Sequence, residues 1–124
     1  MTKIVLSPLP KTWLIDIDGV LFAHNGYLQG EDRLLPGVKA FFEQLGPEDK
    51  VILLTARKPQ YLEQTQAALA NFGIRYDHIL FGLPTGERIA INDRKPSGLA
   101  TCHALNLDRD EGLADIEVVI DPKL

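Results

Sequence analysis

The chain has 124 residues, room for one domain spanning 1–124 and one hydrophobic core. Hydrophobic residues make up 45% and charged residues 24%, a soluble globular balance, and the net charge of -4 speaks against a broad basic face that grips polyanions, though not against a local basic pocket. Cys102 is the one cysteine, which excludes an internal disulfide and fits a reducing compartment. No apolar stretch approaches a membrane span, and Met1-Thr2-Lys3 opens no signal-peptide h-region, so the expectation is a cytoplasmic domain without a membrane partner.

The first strand candidate covers 12–17, where Trp13-Leu14-Ile15-Asp16-Ile17 is apolar, β-branched and aromatic. It carries Asp16 at its carboxyl end, Asp18 just beyond, and is stopped by Gly19. Two carboxylates at the end of a buried strand need a compensating charge, and a hard divalent cation such as Mg²⁺ is the simplest one. The alternative is a strand that runs out into a polar turn with both acids solvated. Residues 20–36 are turn-rich, and Asn25-Gly26 signals a hairpin, so a short β-flap over about 20–35 is expected rather than a cap domain. Pro36-Gly37 opens a helix with Val38, Phe41, Phe42 and Leu45 on one stripe, and Gly46-Pro47 stops it.

Val51-Ile52-Leu53-Leu54 is an apolar run of strand length ending in Thr55, as in a parallel strand covered on both faces. From Pro59 a second helix places Leu62, Thr65, Ala68, Leu69 and Phe72 on one stripe, with Gly73 beyond its end. Strands are expected over 79–81, over 89–91 before Asn92-Asp93, and over 117–120, with a helix over 99–107. This alternation predicts βαβ units, right-handed crossovers and a parallel sheet of about five strands. Asp16, Asp18, Thr55, Asn92 and Asp93 then gather at the edge where open α/β sheets bind ligands.

Taken together, the stretches DIDGVL (16–21), LLTAR (53–57) and INDR (91–94) resemble the haloacid dehalogenase superfamily of phosphatases, in its small capless type. The resemblance runs from about Trp13 to Arg94 and extends to capsule or sugar-phosphate phosphatases and to the phosphatase domain of polynucleotide kinase-phosphatases. It implies a three-layer α/β/α Rossmannoid fold without a cap and a Mg²⁺ cofactor. It also implies that Asp16 is the nucleophile forming an aspartyl-phosphate and that Asp18 is the general acid and base, its backbone carbonyl on the metal. Thr55 and the Ala56 amide would hold the phosphoryl oxygens, and Asn92 with Asp93 would complete the metal site. Arg57 either reaches a substrate phosphate or is solvated.

Two departures from the family pattern stand out. Asn92 replaces the first acid of the usual Asp-Asp pair, which removes a charge from the metal site. Leu83 occupies the place of the family's Lys, with Arg88, Lys95 and more distantly Lys58 as stand-ins. His24, His78 and His103 show no zinc-like spacing, and Cys102 reads as a small packed residue. Tyr27 and His24, on the flap, are candidate substrate contacts.

The function implied is Mg²⁺-dependent phosphomonoester hydrolysis on a small phosphorylated metabolite, with a sugar phosphate the first choice. The alternatives are a polynucleotide 3′-end phosphatase, against which the acidic balance speaks, and a non-catalytic phosphate-binding or regulatory module. With only a flap over the mouth, water exclusion falls to the substrate, to a second protomer in a homo-oligomer, or to nothing.

Overall fold

The computed structural model describes residues 2–124. Five strands form, β1 (Thr2–Leu6), β2 (Thr12–Asp16), β3 (Lys50–Leu54), β4 (His78–Leu80) and β5 (Ile116–Ile120), with helices α1 (Val38–Glu43) and α2 (Leu62–Asn71) between them. All pairings are parallel: β2, β3 and β4 make one sheet in that order, and β1 pairs with β5 in a second. The chain is thus a small α/β protein with open parallel sheets, as the alternation of apolar periods predicts. Among the described residues no helix is long and apolar enough to cross a membrane.

Register decides which side chains share a face. Ile15, Leu53 and Ile79 are neighbours across the larger sheet, and so are Asp16, Leu54 and Leu80. The strand period of two therefore puts Trp13, Ile15, Val51 and Leu53 on one face. That face is the core: Val51 and Leu53 are fully buried in one cluster with Val38 and Phe41 of α1 and Leu69 of α2. Asp16 lies on the other face, with Leu14, which is 58% exposed.

The run at 51–54 is fully covered on one face only, because the helix expected over 99–107 does not form and that segment is largely exposed irregular chain. The strand expected over 89–91 is also absent: Ile89 is 84% exposed and Ile91 93%. Three residues cannot hold a strand without a neighbour, and here β2 keeps one edge unpaired. At Asn25 the backbone is left-handed (φ 59°), but it opens a single 3-10 turn, Gly26–Gln29, instead of a hairpin. The flap is held by bridges from Phe22 to Asp18 and to Leu34.

The five strands do not make one sheet. The strand expected over 117–120 exists as β5, but its partner is β1, where no strand was expected. Alternation in β1 is the signal for it, with Ile4 and Leu6 buried and Lys3 and Val5 exposed. Cys102 is exposed rather than packed.

The amino ends of β2 and β3 are fastened by one buried carboxylate. Asp49 Oδ1 accepts the Lys11 N–H (2.9 Å), and Oδ2 accepts the Trp13 indole N–H (2.9 Å) and the Gly46 N–H (3.0 Å). Burial alone would push this carboxyl up. The Lys11 and Gly46 amides, the Trp13 indole and the Lys11 charge outweigh burial and hold it below the ordinary value.

Candidate active site

Beyond the carboxyl ends of β2 and β3 the chain continues in register for one more bond, Ile17 N–H to Leu54 carbonyl (3.0 Å), and then turns at Gly19. Gly19 has φ 86°, and a Cβ there would press within 3.3 Å of Arg109 Cγ, so a glycine suits both the turn and the contact. On the neighbouring strand Thr55 donates its N–H to the Leu80 carbonyl (3.0 Å). Parallel register therefore brings Asp18 beside Thr55, and the Thr55 hydroxyl donates to Asp18 Oδ2 at 2.8 Å. The same hydroxyl oxygen accepts the Arg57 backbone N–H at 3.0 Å.

Arg57 is neither solvated nor turned outward. Its residue is 1% exposed, and each of its five side-chain N–H groups has a partner. Nε and Nη2 donate to Asp18 Oδ1 (3.1 and 3.0 Å), and Nη2 and Nη1 donate to the two oxygens of Asp32 (2.7 and 3.0 Å). Nη1 also donates to the Thr65 hydroxyl of α2 (3.0 Å). The Tyr27 ring lies 4.0 Å from the guanidinium carbon. Burial would lower this guanidinium's pKa, but hydrogen bonds and charge from Asp32 and Asp18 prevail and raise it further above its ordinary range.

Asp16 has a different environment. Its half-exposed carboxylate faces Arg88, with Oδ2 3.6 Å from Nη1. Burial pushes the Asp16 carboxyl up, the Arg88 charge opposes it, and the neighbouring Asp18 charge adds to the rise. Of the cations proposed to replace the missing Lys, Arg88 is brought to the nucleophile candidate. Among the described residues, Lys58 and Lys95 make no ion pair. Leu83 is tied by its N–H to the Thr55 carbonyl (3.1 Å). Ala56 is exposed at the mouth, and its amide donates to no group among the described residues.

Asn92 and Asp93 are not brought to this group. The Asn92 side-chain amide donates to the Thr101 hydroxyl (2.9 Å), the Asp93 carbonyl accepts from the same hydroxyl, and both residues are exposed. Among the described residues no three His, Cys, Asp or Glu side chains gather closely enough to hold a metal ion. The four expected ligands Asp16, Asp18, Asn92 and Asp93 thus do not fit Mg²⁺ in this arrangement. The reason is the absent strand at 89–91, which was to deliver the last two.

Asp32 was missed by sequence reasoning, since an acid in a turn-rich flap reads as solvated. The one available signal was that a buried Arg57 would require a second carboxylate. Tyr27, a candidate substrate contact on the flap, lays its ring over Arg57. His24 donates its N–H to Asp110 Oδ1 (2.8 Å), and the Asp110 N–H in turn reaches the Gly19 carbonyl (2.9 Å). Residues 108–113 are thereby docked beside the turn after β2. Two hollows, of about 380 and 410 Å³, lie around Trp13 and around Phe42 respectively, and neither is lined by Asp16, Asp18 or Thr55. No family model, no curated protein and no solved structure matches the chain.

Proposed function

We propose that this chain is a haloacid dehalogenase-type phosphatase that hydrolyses phosphomonoesters through an aspartyl-phosphate on Asp16, and that it holds Mg²⁺ only when Asn92 and Asp93 are brought to Asp16. The observation that carries the reading is the meeting of Asp16, Asp18 and Thr55 at the carboxyl ends of two adjacent parallel strands, with Arg88 against Asp16. A small phosphorylated metabolite, a sugar phosphate first, is the substrate class, on the strength of the motif resemblance.

In this chemistry an Asp16 oxygen attacks phosphorus, the bond from phosphorus to the leaving oxygen breaks, and that oxygen takes a proton from Asp18, which first receives it from solvent on Oδ2. Water then attacks the aspartyl-phosphate and passes a proton to Asp18, and Asp16 is regenerated as inorganic phosphate leaves. Arg88, an exposed fork beside Asp16, binds the incoming phosphoryl oxygens. The unbonded Ala56 amide is a second donor at the mouth. Thr55, fully buried here, acts by holding Asp18.

A finer architecture belongs to the same proposal. In the three-layer α/β/α form, 89–91 pairs with the free edge of β2 and brings Asn92 and Asp93 toward Asp16. The unpaired edge of β2, the exposure of Ile89 and Ile91, and the position of Arg88 one residue before that segment all support it. Requirement for Mg²⁺ is then coupled to this pairing.

A second reading, a phosphate-binding module without turnover, is favoured by the ungathered metal ligands. Phosphate release from a generic phosphomonoester, with and without Mg²⁺, on wild type and Asp16→Asn, separates the two. Metal-dependent release by the wild type alone is the expected result. No release, or equal release by both proteins, leaves the module. A panel of sugar phosphates, nucleotides and 3′-phosphorylated oligonucleotides then ranks substrates, and preference for the oligonucleotides would displace the sugar-phosphate assignment.

A further inference from the structure

We propose that Asp32 is a positioning residue: by holding one edge of the Arg57 guanidinium it fixes the opposite edge against Asp18. The kinetic part of this inference rests on the phosphatase reading above, and the geometric part does not.

The guanidinium is a rigid planar fork, so anchoring one edge orients the other. Asp32 takes the Nη1/Nη2 edge with both of its oxygens, and Asp18 takes the Nε/Nη2 edge. Tyr27 covers a face of the plane and Thr65 takes the remaining proton, so the Arg57 side chain has no rotational freedom left. Asp18 in turn is held on Oδ1 by Arg57 and on Oδ2 by Thr55. Its carboxylate is thereby aimed from a loop, where an unaided side chain would sample several rotamers.

Holding the flap in place does not by itself call for this arrangement. Buried ion triads are often no more stable than apolar residues of the same volume, so stability alone is a weak account of one. Substrate cannot be the partner of Asp32, because the Asp32 and Arg57 side chains are 1% and 0% exposed. Asp18 is the member that reaches the surface, at 14%. What Asp32 does is therefore felt at the site through Arg57, as orientation. Misplacing a reacting group by about 1 Å costs on the order of a hundredfold in rate.

Asp32→Asn tests this. It keeps the volume of Asp32 and leaves Arg57 and Asp18 as a charge-balanced pair, and kcat is read well below the variant's melting temperature so that a loss of stability is not taken for a loss of orientation. With para-nitrophenyl phosphate and Mg²⁺, kcat should fall about 10- to 100-fold while KM stays within about twofold. Asp32→Glu, which restores the carboxylate, should recover part of kcat. In nitrogen-15 spectra the protected Arg57 Nε–H resonance should broaden or shift in Asp32→Asn, and the Asp18 carboxyl carbon signal should move with it. An unchanged kcat, or a change in KM alone, would overturn the proposal. If the wild type releases no phosphate, the phosphatase reading fails by itself. The two resonances then decide the matter, and their constancy in Asp32→Asn would refute the positioning.

Discussion

Asp49 and Asp16 lie at opposite ends of the same strand pair and are treated in opposite ways. Asp49, at the amino end, is buried and accepts three hydrogen bonds, and its carboxyl is held below the ordinary value. Asp16, at the carboxyl end, is pushed up by burial and has a single half-exposed cation beside it, at 3.6 Å. A carboxylate supplied with every partner it can use is a fastening. One left partly desolvated, with a like charge two residues away, is available for chemistry. The Asp18–Arg57–Asp32 group stands between the two: as fully bonded as Asp49, but adjoining the open site.

The contrast can be broken most severely at Asp16. Asp16→Asn should lower phosphate release by at least about a thousandfold. Since the folded carboxyl is raised, its ionised form costs stability at neutral pH, and the melting temperature of Asp16→Asn should be unchanged or higher. A large loss of stability would make Asp16 a fastening too. Asp49→Ala should do the reverse, costing about 2–3 kcal/mol in denaturant unfolding by leaving three donors unpaired, with activity retained wherever the protein is folded. Because the folded Asp49 carboxyl is depressed, the stability it gives is complete above its ordinary value of 3.8 and is lost as pH falls through the lower folded value. Acid unfolding curves of the wild type should therefore be steeper below about pH 4 than those of Asp49→Asn.

Arg88→Gln should reduce kcat about tenfold with little change in melting temperature. A strong loss of stability would show Arg88 to be structural. Ile91→Ser, at a position 93% exposed, should change stability by less than about 0.5 kcal/mol. If 89–91 pairs with β2 when metal binds, the same variant raises the Mg²⁺ concentration for half-maximal activity, and Asn92→Asp lowers it. No shift in either variant would remove the pairing from the account.

Much of this was legible in the residues. Period and punctuation located β2, β3 and both helices, because each buries an apolar stripe in the common core, and they located β4, whose Ile79 packs against it. Asp16, Asp18 and Thr55 could be read because strand-end position follows directly from the apolar run before them. What failed was whatever depends on a partner chosen at a distance. Ile89-Ala90-Ile91 has strand composition, but composition supplies no neighbour. The 99–107 stretch has helical spacing, but here it lies largely exposed. The Asn25-Gly26 turn accepts a left-handed residue in either a hairpin or a 3-10 turn, and the bridges of Phe22 decide between them. Asp32 was illegible for the same reason, since its role is set by Arg57, 25 residues away.

Asp16 is the residue proposed to carry the phosphoryl group. Acid quenching of the wild type during turnover of a phosphomonoester, followed by borohydride reduction and peptide mass spectrometry, reads this directly, because an acyl phosphate is reduced to an alcohol. Conversion of Asp16 to homoserine, absent when substrate is omitted, is the predicted result. Phosphate release without any modification at Asp16, or with the modification on another residue, would contradict it.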